Sequence, residues 1–322
     1  MRHLILWGAV ACTVPVPGSA QQTQQRIELR VGLVTSGESA GVASTSIARG
    51  VRLGAAEAKQ TAHLFGDEVR FAEAAGVGAA AVAAANRLLS NDRIEILIGT
   101  SAADAEALSN FAEAHHVLFF NAASRSPQLR SACNRYTFHI EATDTMYARA
   151  VHLAGTVSGS AGQDPRSRVT VPDSIVLWSA MLERFGASQI NARYRNDYGT
   201  GMDGSAWAGW AAVKFGAEAA LRARSTSPAR LLAYLESSTT QFDGHKGWPL
   251  TFRRSDHQLR QPLYLIAHAP GATGRLGVRD VPELHGTSAL GGDTRTGRPS
   301  DRTLDSLISS PKARACAWGG SR

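Results

Sequence analysis

The sequence predicts an α/β fold: one lobe built on a parallel sheet covered by helices on both faces, then a second, reduced α/β lobe. Three observations carry that expectation. Short apolar runs alternate with helix-period stretches as far as residue 125, Gly- and Ser-containing turns separate them, and the alternation thins beyond Arg135. Alternation of this kind gives parallel strands, because each crossover helix returns the chain to the same end of the sheet.

Residues 27–34 alternate and then turn apolar (Leu29, Val31, Leu33, Val34), as a strand entering a buried sheet does. A Gly/Ser/Ala loop is expected over 35–45. A helix is expected over 46–61, where Ile47, Val51, Leu53, Ala55 and Ala58 recur behind hydroxyl residues suited to capping. Strand 69–74, helix 79–90, strand 94–98, helix 102–115 and strand 117–120 complete a Rossmann-like lobe. Ligands of such sheets sit beyond the carboxyl ends of the strands, so the loops after Val34, Ile98 and Phe120 surround the expected site.

Further on, the pattern gives strand 136–140, helix 145–153, a polar linker over 155–168 and strand 174–178. Helices 182–195, 204–223 and 228–237 follow, then a pair of strands at 251–253 and 263–268. The expected division is a first lobe over 26–134 completed by 204–237, a reduced second lobe over 135–203 and 246–285, and a low-complexity tail over 286–322. That tail lacks periodicity and is expected to be a loosely attached or disordered extension.

The first twenty residues follow other rules. Arg2 and His3 precede an apolar run over 4–14, then come Pro15, Pro17 and Gly18-Ser19-Ala20, the order of a secretory signal peptide over 1–20. The run is too short for a permanent membrane span, so the mature chain is expected in the periplasm. Ala9-Val10-Ala11-Cys12 is a poor lipid-attachment box, since an aliphatic residue usually stands where Ala9 does, and anchoring at Cys12 is the lesser reading. Cys133 and Cys316 remain. An oxidising compartment permits them to pair, but their spacing defines neither a disulfide framework nor a metal site, and both a disulfide and an incidental pair stay open.

Composition excludes some functions. With 43% hydrophobic and 19% charged residues the chain is an ordinary globular one. Its 34 basic against 27 acidic side chains give a net charge of +7, but the excess is scattered Arg with no basic stripe or reading helix, so nucleic acid is not an expected partner. Gly76-Val77-Gly78-Ala79-Ala80-Ala81 mimics a G-x-G-x-x-A dinucleotide turn, with Glu95 downstream. Glu95 falls inside a strand rather than at its carboxyl end, however, and this is the second strand–helix turn rather than the first. No Walker loop is present, and the G-x-S-x-G spacing of Gly37-Glu38-Ser39-Ala40-Gly41 falls within the Gly/Ser/Ala loop expected over 35–45. His115, His116 and His257 lack ligand spacing. The expectation is a non-enzyme with no cofactor and no metal.

In order and spacing, Leu29-Arg30-Val31-Gly32-Leu33-Val34, Arg49-Gly50-Val51-Arg52-Leu53-Gly54-Ala55-Ala56-Glu57, Ala83-Ala84-Ala85-Asn86-Arg87-Leu88-Leu89 and residues 94–99 resemble the type I periplasmic binding proteins of the leucine/isoleucine/valine-binding class. Residues 102–108, Leu129-Arg130-Ser131-Ala132-Cys133, Trp207-Ala208-Gly209-Trp210, and Phe252-Arg253 with 257–262 are similar to a branch found with PQQ-dependent alcohol dehydrogenase systems. The resemblance spans roughly residues 26–268. It implies a monomeric, extracytoplasmic substrate-binding subunit of an ABC importer, which captures a small polar solute, amino-acid-like or related to alcohol oxidation, and presents it to an inner-membrane permease. It also exposes a departure, because the interval between His139 and Trp207 is several tens of residues short and the second lobe is abridged.

In that family the loops after the third and fourth strands hold the ligand with hydroxyls and backbone amides at a helix start. Here they are residues 99–104 and 121–124, so Thr100, Ser101, Ala122 and Ser124 are the expected ligand-binding residues, with Tyr147 on the facing wall. Trp178, Tyr194 and Tyr198 are further candidates for that wall. Ala103-Asp104 replaces the family's hydroxyl pair, and its carboxylate would repel an anionic ligand group. Ser101 and Asp104 also read as a capping box, and Ser124 as a loop residue bonding its own backbone. The rival function is a degenerate module docking on a periplasmic partner without transport. A more distant one is an exported NAD-type enzyme, which would depend on Gly78.

Overall fold

The structure, a computed structural model, describes residues 26–160, 174–268 and 276–281, together with 304, 305, 307, 316 and 318. The expected signal peptide, Cys12, the distal part of the expected linker and most of the tail lie outside these residues. The first sheet comprises β1 (Glu28–Thr35), β2 (Glu68–Ala75), β3 (Ile96–Gly99), β4 (Leu118–Asn121) and β5 (Thr137–His139), all parallel, in the order β2-β1-β3-β4-β5. Its helices are α1 (Val42–Leu64), α2 (Ala79–Asp92), α3 (Ala105–His115) and the short α4 (Pro127–Ser131).

Successive side chains on a strand point to opposite faces, and here both faces are apolar. Ile96, Ile98, Leu118 and Phe120 join the core under α1, whereas Leu97 and Phe119 join a second core under α2 and α3. The chain beyond β5 forms α5 (Asp144–Ser160), β6 (Ser174–Val176), α6 (Ala187–Tyr198), α7 (Gly204–Ala223) and α8 (Pro228–Leu235). It ends in β7 (Phe242–Asp243), β8 (Pro249–Phe252), β9 (Leu259–Arg260), β10 (Tyr264–His268) and β11 (Leu276–Asp280). Helix α7 returns to the first sheet and packs along α1 backbone to backbone. A Cβ at Gly50 would lie 1.8 Å from the Ala206 carbonyl oxygen, and one at Gly209 would lie 2.3 Å from that of Ile47.

Several expectations need correction. Helix α1 starts at Val42, behind an extended Gly41, so the end of the expected loop is already helical. Helix α5 runs to Ser160, into the expected linker. Helix α6 starts only at Ala187, because Phe185 and Gly186 both take the left-handed conformation, which ends a helix. The strands expected to pair near 251 and 263 belong to different sheets: β8 lies between β7 and β9, and β10 between β6 and β11. Between them the chain crosses back along β5, where His139 N–H donates to the His257 carbonyl at 2.9 Å.

The tail is attached at its described residues. Cys133 and Cys316 form a disulfide across 183 residues, Leu304 and Leu307 are buried, and Arg260 pairs with Asp305 at 2.8 Å. Closing so long a loop removes about 5 kcal/mol of denatured-chain entropy in the chain-entropy account. Low complexity hid this, since two cysteines and two leucines suffice as anchors.

Candidate ligand-binding site

Strands β1 and β3 are neighbours while β2 lies outside β1, so the connections leaving β1 and β3 diverge and open a crevice at their carboxyl ends. Thr100 sits at its floor. Its N–H donates to the Val34 carbonyl at 3.1 Å, its hydroxyl accepts from Ser36 N–H at 3.2 Å, and its carbonyl accepts from the Ser44 hydroxyl at 2.9 Å. With only 2% of its surface exposed, Thr100 fastens the two loops together.

Ser101 makes half of the expected capping box, its hydroxyl accepting from Asp104 N–H at 3.3 Å. The carboxylate does not reach back. Asp104 caps α3 by position, and its Oδ1 accepts from the Gly78 N–H, at the start of α2, at 2.9 Å. One acidic side chain thus spans two helix starts, which the macrodipole favours. It also occupies the amide that a dinucleotide turn would offer. Glu95 is likewise engaged internally, accepting from the Arg30 backbone at 2.7 Å and its guanidinium at 3.0 Å.

The register Gly99 to Asn121 sets Thr100 beside the buried Ala122. The next loop is braced from within, as Asn121 accepts the Ser124 N–H at 2.8 Å and donates to the Ser124 carbonyl at 2.8 Å. The Ser124 hydroxyl accepts from Ser126 N–H at 3.3 Å. Tyr147, on the first turn of α5, reaches the ends of β4 and β5. Its hydroxyl donates to Glu141 Oε1 at 2.8 Å, and the Arg125 guanidinium stacks 4.1 Å from its ring centroid. Arg125 is half exposed, and its Nε lies 3.8 Å from the buried Glu141 carboxylate. Burial pushes the Glu141 carboxyl up against the opposing pull of Arg125 and Tyr147, and burial together with Glu141 pushes the Tyr147 phenol up.

Arg125 and Glu141 escaped the sequence reading. A pointer existed in each case: Glu141 ends an apolar strand, and Arg125 directly follows Ser124. Of the other aromatic candidates, Trp178 and Tyr194 are core residues and Tyr198 is partly buried against the core. Trp178 bonds Asn191 at 2.9 Å and stacks on Trp207, Tyr194 is 1% exposed, and the Tyr198 hydroxyl donates to the Arg49 carbonyl of α1. Packing between helices claims them.

Behind the site, buried polar groups hold the crossing chains. Arg130 of α4 donates to the carbonyls of Ser124 (2.7 Å), Ser126 (3.0 Å) and Glu141 (2.6 Å) and to Gln258 Oε1 (3.0 Å). Lys246 donates to Leu177 O, Gln261 Oε1 and Pro262 O at 2.7, 3.0 and 3.2 Å, with Trp207 3.9 Å below its ammonium. Burial lowers Arg130 to about 10 and holds Lys246 well below its usual value. A separate cavity of about 540 Å³, with Met181, Phe185, Lys246, Tyr264 and Arg279 among its walls, shares no residue with the strand-end loops.

His139 gives this region a pH dependence. Burial, aided by the Arg130 charge, depresses its imidazole well below the ordinary value. As pH falls below about 6.5 the unfolded chain takes up this proton first, so the stability contributed above that pH is lost on acidification. Chemical denaturation at pH 7 and pH 5 should show His139→Gln flattening the slope by up to about 1.4 kcal/mol per pH unit. An unchanged slope would mean that the imidazole titrates as in water.

A family model described as "Periplasmic binding protein" matches residues 28–162. Solved structures share the fold over about four fifths of this chain. A branched-chain amino acid ABC transporter periplasmic ligand-binding protein from Burkholderia xenovorans is 14% identical, with 81% of this chain and 98% of that one covered at a TM-score of 0.64. The fold is that of a type I periplasmic binding protein. Two other structures of the type I periplasmic binding protein fold extend the comparison. A branched-chain amino acid transporter substrate binding protein from Streptococcus pneumoniae, in complex with isoleucine, is 14% identical (80% and 100% covered, TM-score 0.60). An ABC transporter solute binding protein from R. palustris, in complex with 4-hydroxybenzoate, is 10% identical (79% and 96% covered, TM-score 0.58). No curated protein is matched, and these relatives do not bear on the PQQ-associated branch. Among the described residues no helix is long and apolar enough to cross a membrane.

Proposed function

We propose that this chain is the extracytoplasmic substrate-binding subunit of an ABC importer, a monomer without catalytic activity that captures a small polar solute at the strand ends of its first lobe and presents it to an inner-membrane permease. In this reading residues 1–20 export it to the periplasm, 26–134 with 204–237 form the first lobe, and 135–203 with 246–285 form the reduced second lobe. The observation that carries the reading is the convergence of Thr100, Ala122, Ser124 and Glu141, from successive strand ends, with Tyr147 arriving from α5. The cluster combines a half-exposed guanidinium, a phenol and a carboxyl raised towards protonation, which suits a solute with both acceptor and donor groups. Matched structures holding isoleucine and 4-hydroxybenzoate support that range of chemistry.

The test is thermal denaturation of the chain from Gln21 onward against amino acids, small acids, alcohols, amines and quinone-like cofactors. Ligand at 100 times its dissociation constant stabilises by about 2.7 kcal/mol. Arg125→Ala should weaken binding of the active class at least tenfold, about 1.4 kcal/mol, and leave the unliganded melting temperature within a few degrees. A folded protein that ignores the whole panel would sink solute capture. The docking role would then stand, and it draws on the exposed Val42 and Val77 at the strand-end rim.

A further inference from the structure

We propose that Cys316 and Trp318 form a redox-gated brace for the strand-end site, locked by the Cys133–Cys316 disulfide and released by a dithiol reductant. Its effect on a ligand rests on the function proposed above; the release itself does not. Cys133 lies just beyond α4, the helix whose Arg130 ties the Ser124 loop to the end of β5. The Arg130 carbonyl in turn faces Cys316 Sγ at 3.7 Å and Cys133 N–H at 3.4 Å. On the other side, Cys316 N–H donates to the Ser255 carbonyl at 2.8 Å and Trp318 Nε1 to the Cys133 carbonyl at 2.9 Å. The Trp318 ring packs 4.0 Å from His257, which stacks at 4.2 Å on Phe138 of β5. One crosslink therefore clamps both α4 and the crossover that carries Gln258, the two partners that hold the Glu141 backbone.

Two features make the clamp releasable. Both cysteines are only partly buried, so a thiolate can approach. Cys133 also has φ +57°, a conformation disfavoured for an L residue and retained while its surroundings enforce it. In the reaction one thiolate of the reductant attacks a sulfur and forms a mixed disulfide. Its second thiol displaces the remaining cysteine, leaving Cys133 and Cys316 as thiols and the reductant as its own disulfide.

The experiment compares hydrogen exchange of the oxidised protein, of the protein reduced with dithiothreitol, and of Cys316→Ser, with alkylation and mass measurement counting free thiols. Exchange at residues 124–126, 139–142 and 255–261 should accelerate at least tenfold in both altered forms, while β1 and β3 stay as protected as before. Unchanged exchange with both thiols alkylated would overturn the proposal, and so would equal acceleration in β1 and β3, which marks a crosslink that merely supports global stability. Where the panel has supplied a ligand, reduction should weaken it at least tenfold. Local acceleration without any ligand in the panel would uphold the brace while sinking solute capture.

Discussion

Replacing Arg130 with Met is expected to destabilise the protein by about 3 kcal/mol, because it strips a charged donor from four buried neutral acceptors. The guanidinium is 6% exposed and serves acceptors on three chain segments. A Met side chain fills the space but takes the Arg130 donor from the Ser126 carbonyl and Gln258 Oε1 and leaves the Ser124 and Glu141 carbonyls to Asn121 and Gln258 alone, and buried acceptors deprived of a donor cost more than the mean value of the bonds they lose. Arg130→Lys should recover little, since one ammonium cannot serve directions that a planar fork reaches together. Urea unfolding measures both. A loss below about 1 kcal/mol for the Met variant would mean that water reaches these acceptors, and the buried polar tie described above would be wrong.

Gly50→Val should be comparably severe, at least about 3 kcal/mol, at the upper end of what overpacking costs. The first added carbon would fall 1.8 Å from the Ala206 carbonyl oxygen, so α1 and α7 must separate, and their close approach at Gly209, where there is no room even for a Cβ against the Ile47 carbonyl, would be lost with it. Gly41→Ala is the control, since nothing lies within 4 Å of that position, and it should change stability by about 1 kcal/mol or less. A Gly50→Val protein as stable as the parent would show that the two helices do not touch in solution.

Much of the first lobe was legible because its signals are local. Leu29, Val31 and Leu33 mark a buried strand, and Ile47, Val51 and Ala55 mark a helix face, without reference to anything distant. Helix α7 was read to the residue, its start fixed by Asp203, which caps Ala206 at 2.8 Å, and its end by Arg224 in the left-handed conformation. What failed depends on partners far along the chain. The partners of β8 and β10 are decided by a crossover that lies against β5, and the tail by a crosslink to residue 133. The site divides in the same way. Strand ends pointed to the loops of Thr100, Ala122 and Ser124, and the sequence also offered Tyr147 for a facing wall, whereas its contacts with Arg125 and Glu141 need β4, β5 and α5 brought together.

The contact between α1 and α7 also sets a schedule. Helix α1 ends at Leu64 and α7 at Ala223, 159 residues later, so the face of the sheet that the two helices share is only partly covered until about two thirds of the chain has been made. At ~5–20 residues per second that interval lasts about 8 to 30 s. Throughout it α1 waits for the helix whose backbone it meets at Gly50 and Gly209, so the lobe reaches its final packing late in synthesis.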